Sequence, residues 1–329
     1  MPQVKGCLLV GSVLLPDAET VFRDAIAGMP NRLKRIPDGE TGERFYFTMF
    51  QAQVFDAYPP MKARFVDNSI IDADEFTQEQ LDEGIKKITE TPLETGYDKA
   101  AIASYAVFKK LKDEGVIPKK GLSKRAYPLY EEALGRAIKN IQAAIPHEEL
   151  SIQFDLAADT AFWEGVYLKP WFDEDPKDYT VEYISRMLGW VAPDVEAGLH
   201  NCYGDMEHKH WHEPSSLKAV SERGLRLLEK NAHKIDYFHA PIPVSASDSL
   251  DTFIAPIAEL AQKLHEQGGE IYLGVVQHND LEGTKKRIEA AGKYVPEFGI
   301  ATECGMGRTP KEQIHELFKL STEVSEPVA

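Results

Sequence analysis

Along this chain, short apolar runs alternate with longer stretches in which apolar residues return every three or four positions. Those are the signatures of buried strands and of helices with one buried face. The first run, 7–11 (CLLVG), stops at Gly11 and Ser12. Pro16 and Asp17 then open a helical stretch with Val21, Phe22, Ala25 and Ile26 on its apolar side. Next comes a short predicted strand near Leu33 to Ile36. It breaks into a polar, glycine-containing loop that holds Asp38, Glu40 and Arg44. Strand, helix and strand in close succession are the rhythm of an α/β protein.

The middle of the chain is less regular. Residues 45–64 are rich in aromatics, among them Phe45, Tyr46, Phe47, Phe50, Phe55 and Tyr58, which suit a core first and a pocket wall second. The pattern predicts a charged helix over 73–90 and an amphipathic one over 98–112, closed by Gly115 and Pro118. Before the helix predicted at 129–144, an α/β barrel requires another strand, and KKGLSK at 119–124 does not supply a clear one.

Regularity then returns. SIQFD is a strand ending at Asp155, followed by an aromatic excursion, AADTAFWEGVYLKPWF, too long for an ordinary strand-to-helix connection. Its part over 161–172, with Trp163, is expected to form a pocket wall. Helices are predicted at 178–190, 217–230, 250–266, 281–291 and 310–321, and strands at 196–199, 235–239, 271–276 and 298–302. Polar residues collect where these strands end: Asp155, His200 with Cys202, His239, His278 and Cys304.

In a closed (β/α)8 barrel the C-terminal strand ends converge on one mouth. A doubly wound sheet would carry a glycine fingerprint after its first strand, and GSVLLP is not one. The expectation is a single (β/α)8 TIM barrel, one catalytic domain over 1–329, with long βα loops over its C-terminal mouth.

Composition narrows the function. Apolar residues make up 43% of the chain, enough for a substantial core, and the net charge of −16 argues against nucleic acid as a partner. No apolar stretch reaches membrane-spanning length and no cleavable leader is evident, so no membrane partner is expected. Three scattered cysteines do not make a disulfide framework, which points to a reducing, cytoplasmic setting.

The candidate chemistry centres on EAGLHNCYGD at 196–205. If the apolar run is a strand, its period of two places His200 and Cys202 on one face. Cys304, in ATECGMGR, occupies the same kind of position after a later strand. Two thiolates and an imidazole, with a fourth ligand or an open position, describe a catalytic zinc site. Zinc held by sulfur and nitrogen keeps an incoming thiol as a thiolate, ready to attack an electrophilic carbon. The alternative is water activation, for which Asp155, Glu303 and His278 are candidate bases. Spacing alone leaves both open. A further run, YGDMEHKHWHEP, alternates His208, His210 and His212, either a second metal site or a solvated loop.

Several of these segments together resemble the C-terminal catalytic barrel of cobalamin-independent methionine synthase and its smaller relatives, a (β/α)8 fold related to uroporphyrinogen decarboxylase. The likeness lies in GS at 11–12, IPDGE at 36–40, IQFD at 152–155, HNC at 200–202, GVVQH at 274–278 and ECGMGR at 303–308. It implies Zn2+ held by His200, Cys202 and Cys304, with His278 as the acid. It also implies an amino-acid-like or small polar thiol substrate held by Ser12, Asp155 and Glu40, and a folate-type methyl donor.

The chain departs from that pattern at DYFHAPIP, where the family's zinc-binding Glu is missing. His239 is then the candidate fourth ligand, and an open or water-filled position the alternative. The family's IQxDEP becomes IQFDLA here. The resemblance thus implies methyl or small alkyl transfer to a thiol. The rivals are a zinc-dependent hydrolase or lyase in the same barrel and a non-enzymatic ligand-binding relative.

Overall fold

Six of the apolar runs form one parallel sheet: β1 (Gln3–Leu8), β2 (Ser151–Leu156), β3 (Glu196–Asn201), β4 (Tyr237–Pro241), β5 (Glu270–Val276) and β6 (Glu297–Thr302). The computed structural model describes residues 2–45, 65–66, 69–70, scattered positions between 77 and 90, and 94–113, 128–166, 174–204, 210–307 and 309–328. The order across the sheet is β1-β6-β5-β4-β3-β2, so the first strand lies beside the last.

Parallel neighbours need crossover connections, and helices supply them. In chain order these are α1 (Ala18–Gly28), α2 (Tyr97–Asp113), α3 (Pro128–Ala144), α4 (Ala158–Glu164), α5 (Pro176–Leu188) and α6 (Lys218–Lys230). They are followed by α7 (Leu250–Ile254), α8 (Ala258–Glu266), α9 (Leu281–Ala291) and α10 (Lys311–Glu323).

The sheet is curled. Gln153 on β2, at one edge, donates through Nε2 to the carbonyl of Val10, just beyond β1 at the other edge, at 2.7 Å. On the free side of β1, bridges from Cys7 to Leu33 and from Ser12 to Gly39 add the segment 33–39. Pro37 has no N–H to give and Gly39 has a φ of +78°, so this segment touches β1 at Cys7 and the chain beyond it at Ser12 without becoming a regular strand. A mixed α/β architecture with a curled parallel sheet is of TIM-barrel-like type.

The stretch 119–124, the tract 46–64 and most of 73–90 lie outside the described residues; Phe65–Val66 and Ser69–Ile70 form a short antiparallel pair. The aromatic excursion starts as a helix, α4, ended by Gly165 at φ +66°. The helix expected over 250–266 is two helices, because Pro256 interrupts the hydrogen-bond ladder with a 3-10 turn, Ala255–Ile257. Among the described residues no helix is long and apolar enough to cross a membrane.

Period two sorts each strand into two faces. Phe154, Leu199, Phe238, Leu273 and Ile300 join the main core under the helices. Tyr237, Tyr272, Ala301, Leu8 and Val10 form a separate cluster on the concave face. Two glycines make room for those tyrosines. A Cβ on Gly198 would collide with the Tyr237 ring, and one on Gly299 with Tyr272. Below them Arg35 stacks on Tyr237 at 4.2 Å and reaches Glu196 at 2.7 Å and Glu270 at 3.0 Å. The interior is therefore filled at the N-terminal end, and the opposite end is left for the site.

Candidate metal centre

In register, Asp155 of β2 lies opposite His200 of β3, and His200 opposite His239 of β4. These three form a row across the C-terminal end of the sheet. Cys202 follows His200 on the same face, while Cys304 lies just past β6, two strands away from β4. Curvature brings the last residue back: the ligand atoms of His200, Cys202 and Cys304 all lie within 4.8 Å of one another. His200 Nε2 and Cys304 Sγ are 3.8 Å apart. Among the described residues this is the one group of three or more His, Cys, Asp or Glu side chains placed to share an ion.

His200 and Cys202 are buried and Cys304 is half-buried. The Cys202 thiol beside it, together with burial, pushes the Cys304 thiol well above its usual range, and only His200 opposes this. Two sulfurs crowded with an imidazole are a poor self-sufficient network. They are a good donor set for zinc, whose preferred ligands are thiolate sulfur and imidazole nitrogen.

His239 stands outside that group. It is fully buried, with Nε2 at 3.1 Å from the carbonyl of Thr302 and Nδ1 at 2.7 Å from His200 Nδ1. Burial and the adjacent His200 hold its pKa well below the usual imidazole range. Asn201, on the opposite face of β3, donates to the His239 carbonyl at 2.8 Å and accepts from Arg223 at 2.6 Å. Arg223 is wholly buried and also donates to Thr160 at 2.9 Å.

The sequence reading passed over both. A signal for Arg223 was present, since it occupies the apolar stripe of α6 three residues after Val220 and four before Leu227.

Cys202 and Cys304 open onto a cavity of about 390 Å³, walled by Tyr203, His210, Gln277, His278 and Glu303 among others. Glu303 is engaged at both oxygens, by His210 through an ion pair and by Gln277 Nε2 at 3.0 Å. Against the cost of its burial, Glu303 and Glu213 push His210 up to about 9. Of the three alternating histidines, His210 thus reaches the cavity, His212 is exposed, and His208 lies outside the described residues. His278 lines the rim with Nε2 at 2.6 Å from Glu316 of α10.

The remaining candidates are elsewhere. Ser12 donates to Glu40 at 2.5 Å, both buried, and Asp155 accepts from Gln153 at 2.8 Å. Trp163 is buried beneath Lys177, Arg223 and Arg226, whose charges lie 5.1, 5.7 and 5.6 Å from its ring. None of these four residues lines the cavity.

No family model matches the chain, and no curated protein does. Among solved structures it is similar to a B12-independent methionine synthase from Shewanella sp. W3-18-1 in complex with selenomethionine. The TM-score is 0.43 and the sequence identity 16%, over 69% of this chain and 64% of that one. The chain therefore spans just under two thirds of that protein's length.

Proposed function

We propose that the chain is a zinc-dependent enzyme that transfers a methyl or small alkyl group to a thiol, on a single eight-stranded barrel over 1–329. One observation carries this reading: His200, Cys202 and Cys304 gather within 4.8 Å of one another, and the two cysteines line an open cavity. Zinc bound there would hold an incoming thiol as its thiolate near neutral pH.

The protein's own groups set the rest. The cavity floor offers the thiol its entry, and the walls orient the carbon it attacks. His278, steadied by Glu316, stands at the rim to give a proton to the departing group. Asp155, near the end of β2, and Ser12, just past β1, belong to the two edges of the sheet and lie outside the cavity lining; they are the residues proposed to receive the polar end of an amino-acid-like thiol. A folate-type donor is the less favoured partner, since the carboxylate of Glu303 lines the cavity and Glu213 and Glu316 pair with its lining histidines.

Hydrolysis is disfavoured by the state of Glu303. Both of its oxygens are already engaged, by His210 and by Gln277 Nε2, so a water would have to compete with those contacts. The test is a screen of small thiols against alkyl donors with zinc-loaded protein, measuring thioether formation. Turnover that requires the thiol supports the reading. Hydrolysis of a donor with no thiol present would replace it.

A further inference from the structure

His239 sits beneath the centre with both ring nitrogens engaged, and the direction of those two contacts decides the chemistry of His200. A carbonyl oxygen only accepts, so the 3.1 Å contact to Thr302 requires the proton on His239 Nε2. In a neutral ring, Nδ1 of His239 is then a lone pair. The 2.7 Å contact between the two Nδ1 atoms needs one proton, which must come from His200. His200 Nε2, on the far side of its ring and 3.8 Å from Cys304 Sγ, is left without a proton. Gly274 leaves space for the arrangement, since a Cβ there would come within 3.1 Å of His239 Nε2.

We propose that His239 is the positioning residue of this centre. It holds His200 in the Nδ1–H tautomer, so that the Nε2 lone pair faces Cys202 and Cys304. The zinc part of this proposal rests on the function proposed above, whereas the tautomer does not. A histidine here takes the place that a carboxylate or backbone carbonyl usually occupies behind a metal-binding imidazole. A neutral acceptor adds no negative charge behind a centre already carrying two sulfurs.

Two measurements test it on the full chain. Long-range proton–nitrogen correlation spectra of the metal-free, 15N-histidine-labelled protein should show His200 protonated at Nδ1 and His239 at Nε2. A proton on His200 Nε2 would overturn the proposal, whether or not zinc binds.

The second measurement is zinc affinity by chelator competition for two variants that each keep half of the ring's function. His239→Asn retains an acceptor where Nδ1 was, and His239→Gln retains a donor where Nε2 was. The Gln variant should weaken zinc binding roughly ten- to a hundredfold, while the Asn variant stays within about threefold of the parent. Equal losses in both, or none in either, would reduce His239 to a packing residue. If the parent itself takes up no zinc, the proposed function fails, and the spectra still decide the tautomer.

Discussion

The two ends of the curled sheet are built by alternate residues of the same strands, and they end differently. At the N-terminal end the charges are complementary: Arg35 meets Glu196 and Glu270, Lys34 also pairs with Glu270, and Tyr272 donates to Glu270 at 3.0 Å. Positive and negative groups satisfy one another there, so the end is closed by its own side chains. At the C-terminal end His200, Cys202 and Cys304 are all potential donors to a cation, and among the described residues no lysine or arginine side chain lines the cavity beside them. The first arrangement seals the fold. The second makes sense as a receptor for a positive ion.

That contrast can be broken most severely from below. Arg35→Met removes the partner of Glu196 and leaves Glu270 to Lys34 and Tyr272, and the chain should lose about 2–3 kcal/mol of stability, less than a fully buried pair would cost because both carboxylates are partly exposed. Urea unfolding measures this, and a loss below about 1 kcal/mol would mean the N-terminal charges are solvated and do not seal anything.

From above, Cys304→Ala should abolish tight zinc binding while costing the metal-free protein only about 1 kcal/mol, the scale of an ordinary small truncation. Zinc stoichiometry and metal-free melting temperature are the two readouts. A variant that binds zinc as tightly as the parent would remove Cys304 from the centre.

Between these in subtlety is the pH dependence of His210. Its pKa is raised to about 9, so the stability it contributes is fully present below the ordinary value near 6.5 and is lost as pH rises through about 9. Melting temperature should fall across that window, and His210→Gln should flatten the fall. An unchanged slope would show that the Glu303 and Glu213 pairing does not hold in solution.

The smallest expected effect is at the rim. Glu316→Gln should lower turnover by less than about tenfold and shift the acidic or basic limb of the rate profile, with zinc content unchanged. A change in zinc content instead would tie the rim to the centre's assembly.

Much of this architecture is legible in the chain itself, for a physical reason. Parallel strands buried on both faces appear as short continuous apolar runs, and the helices between them carry one apolar stripe. The crowding of His and Cys at strand ends is visible because period two fixes which residues share a face.

What stays hidden depends on partners far away in sequence. Arg35 looks like a surface charge until Glu196 and Glu270 arrive, each more than 150 residues on. The role of His239 turns on the carbonyl of Thr302, which no side-chain pattern reveals. The aromatic excursion suggested a pocket wall; its residues 167–172 lie outside the described residues, and Trp163 is buried among cations, since the same residue types serve both purposes. The interruption at Pro256 was visible in the sequence, and the apolar stripe running past it outweighed that signal.

The most direct test of the central claim is elemental analysis of freshly purified protein together with zinc-edge X-ray absorption. One zinc per chain is expected, with two sulfur neighbours at about 2.3 Å and at least one nitrogen at about 2.0–2.1 Å. Protein that holds no zinc and takes none up when it is offered, or a zinc shell without sulfur, would contradict it.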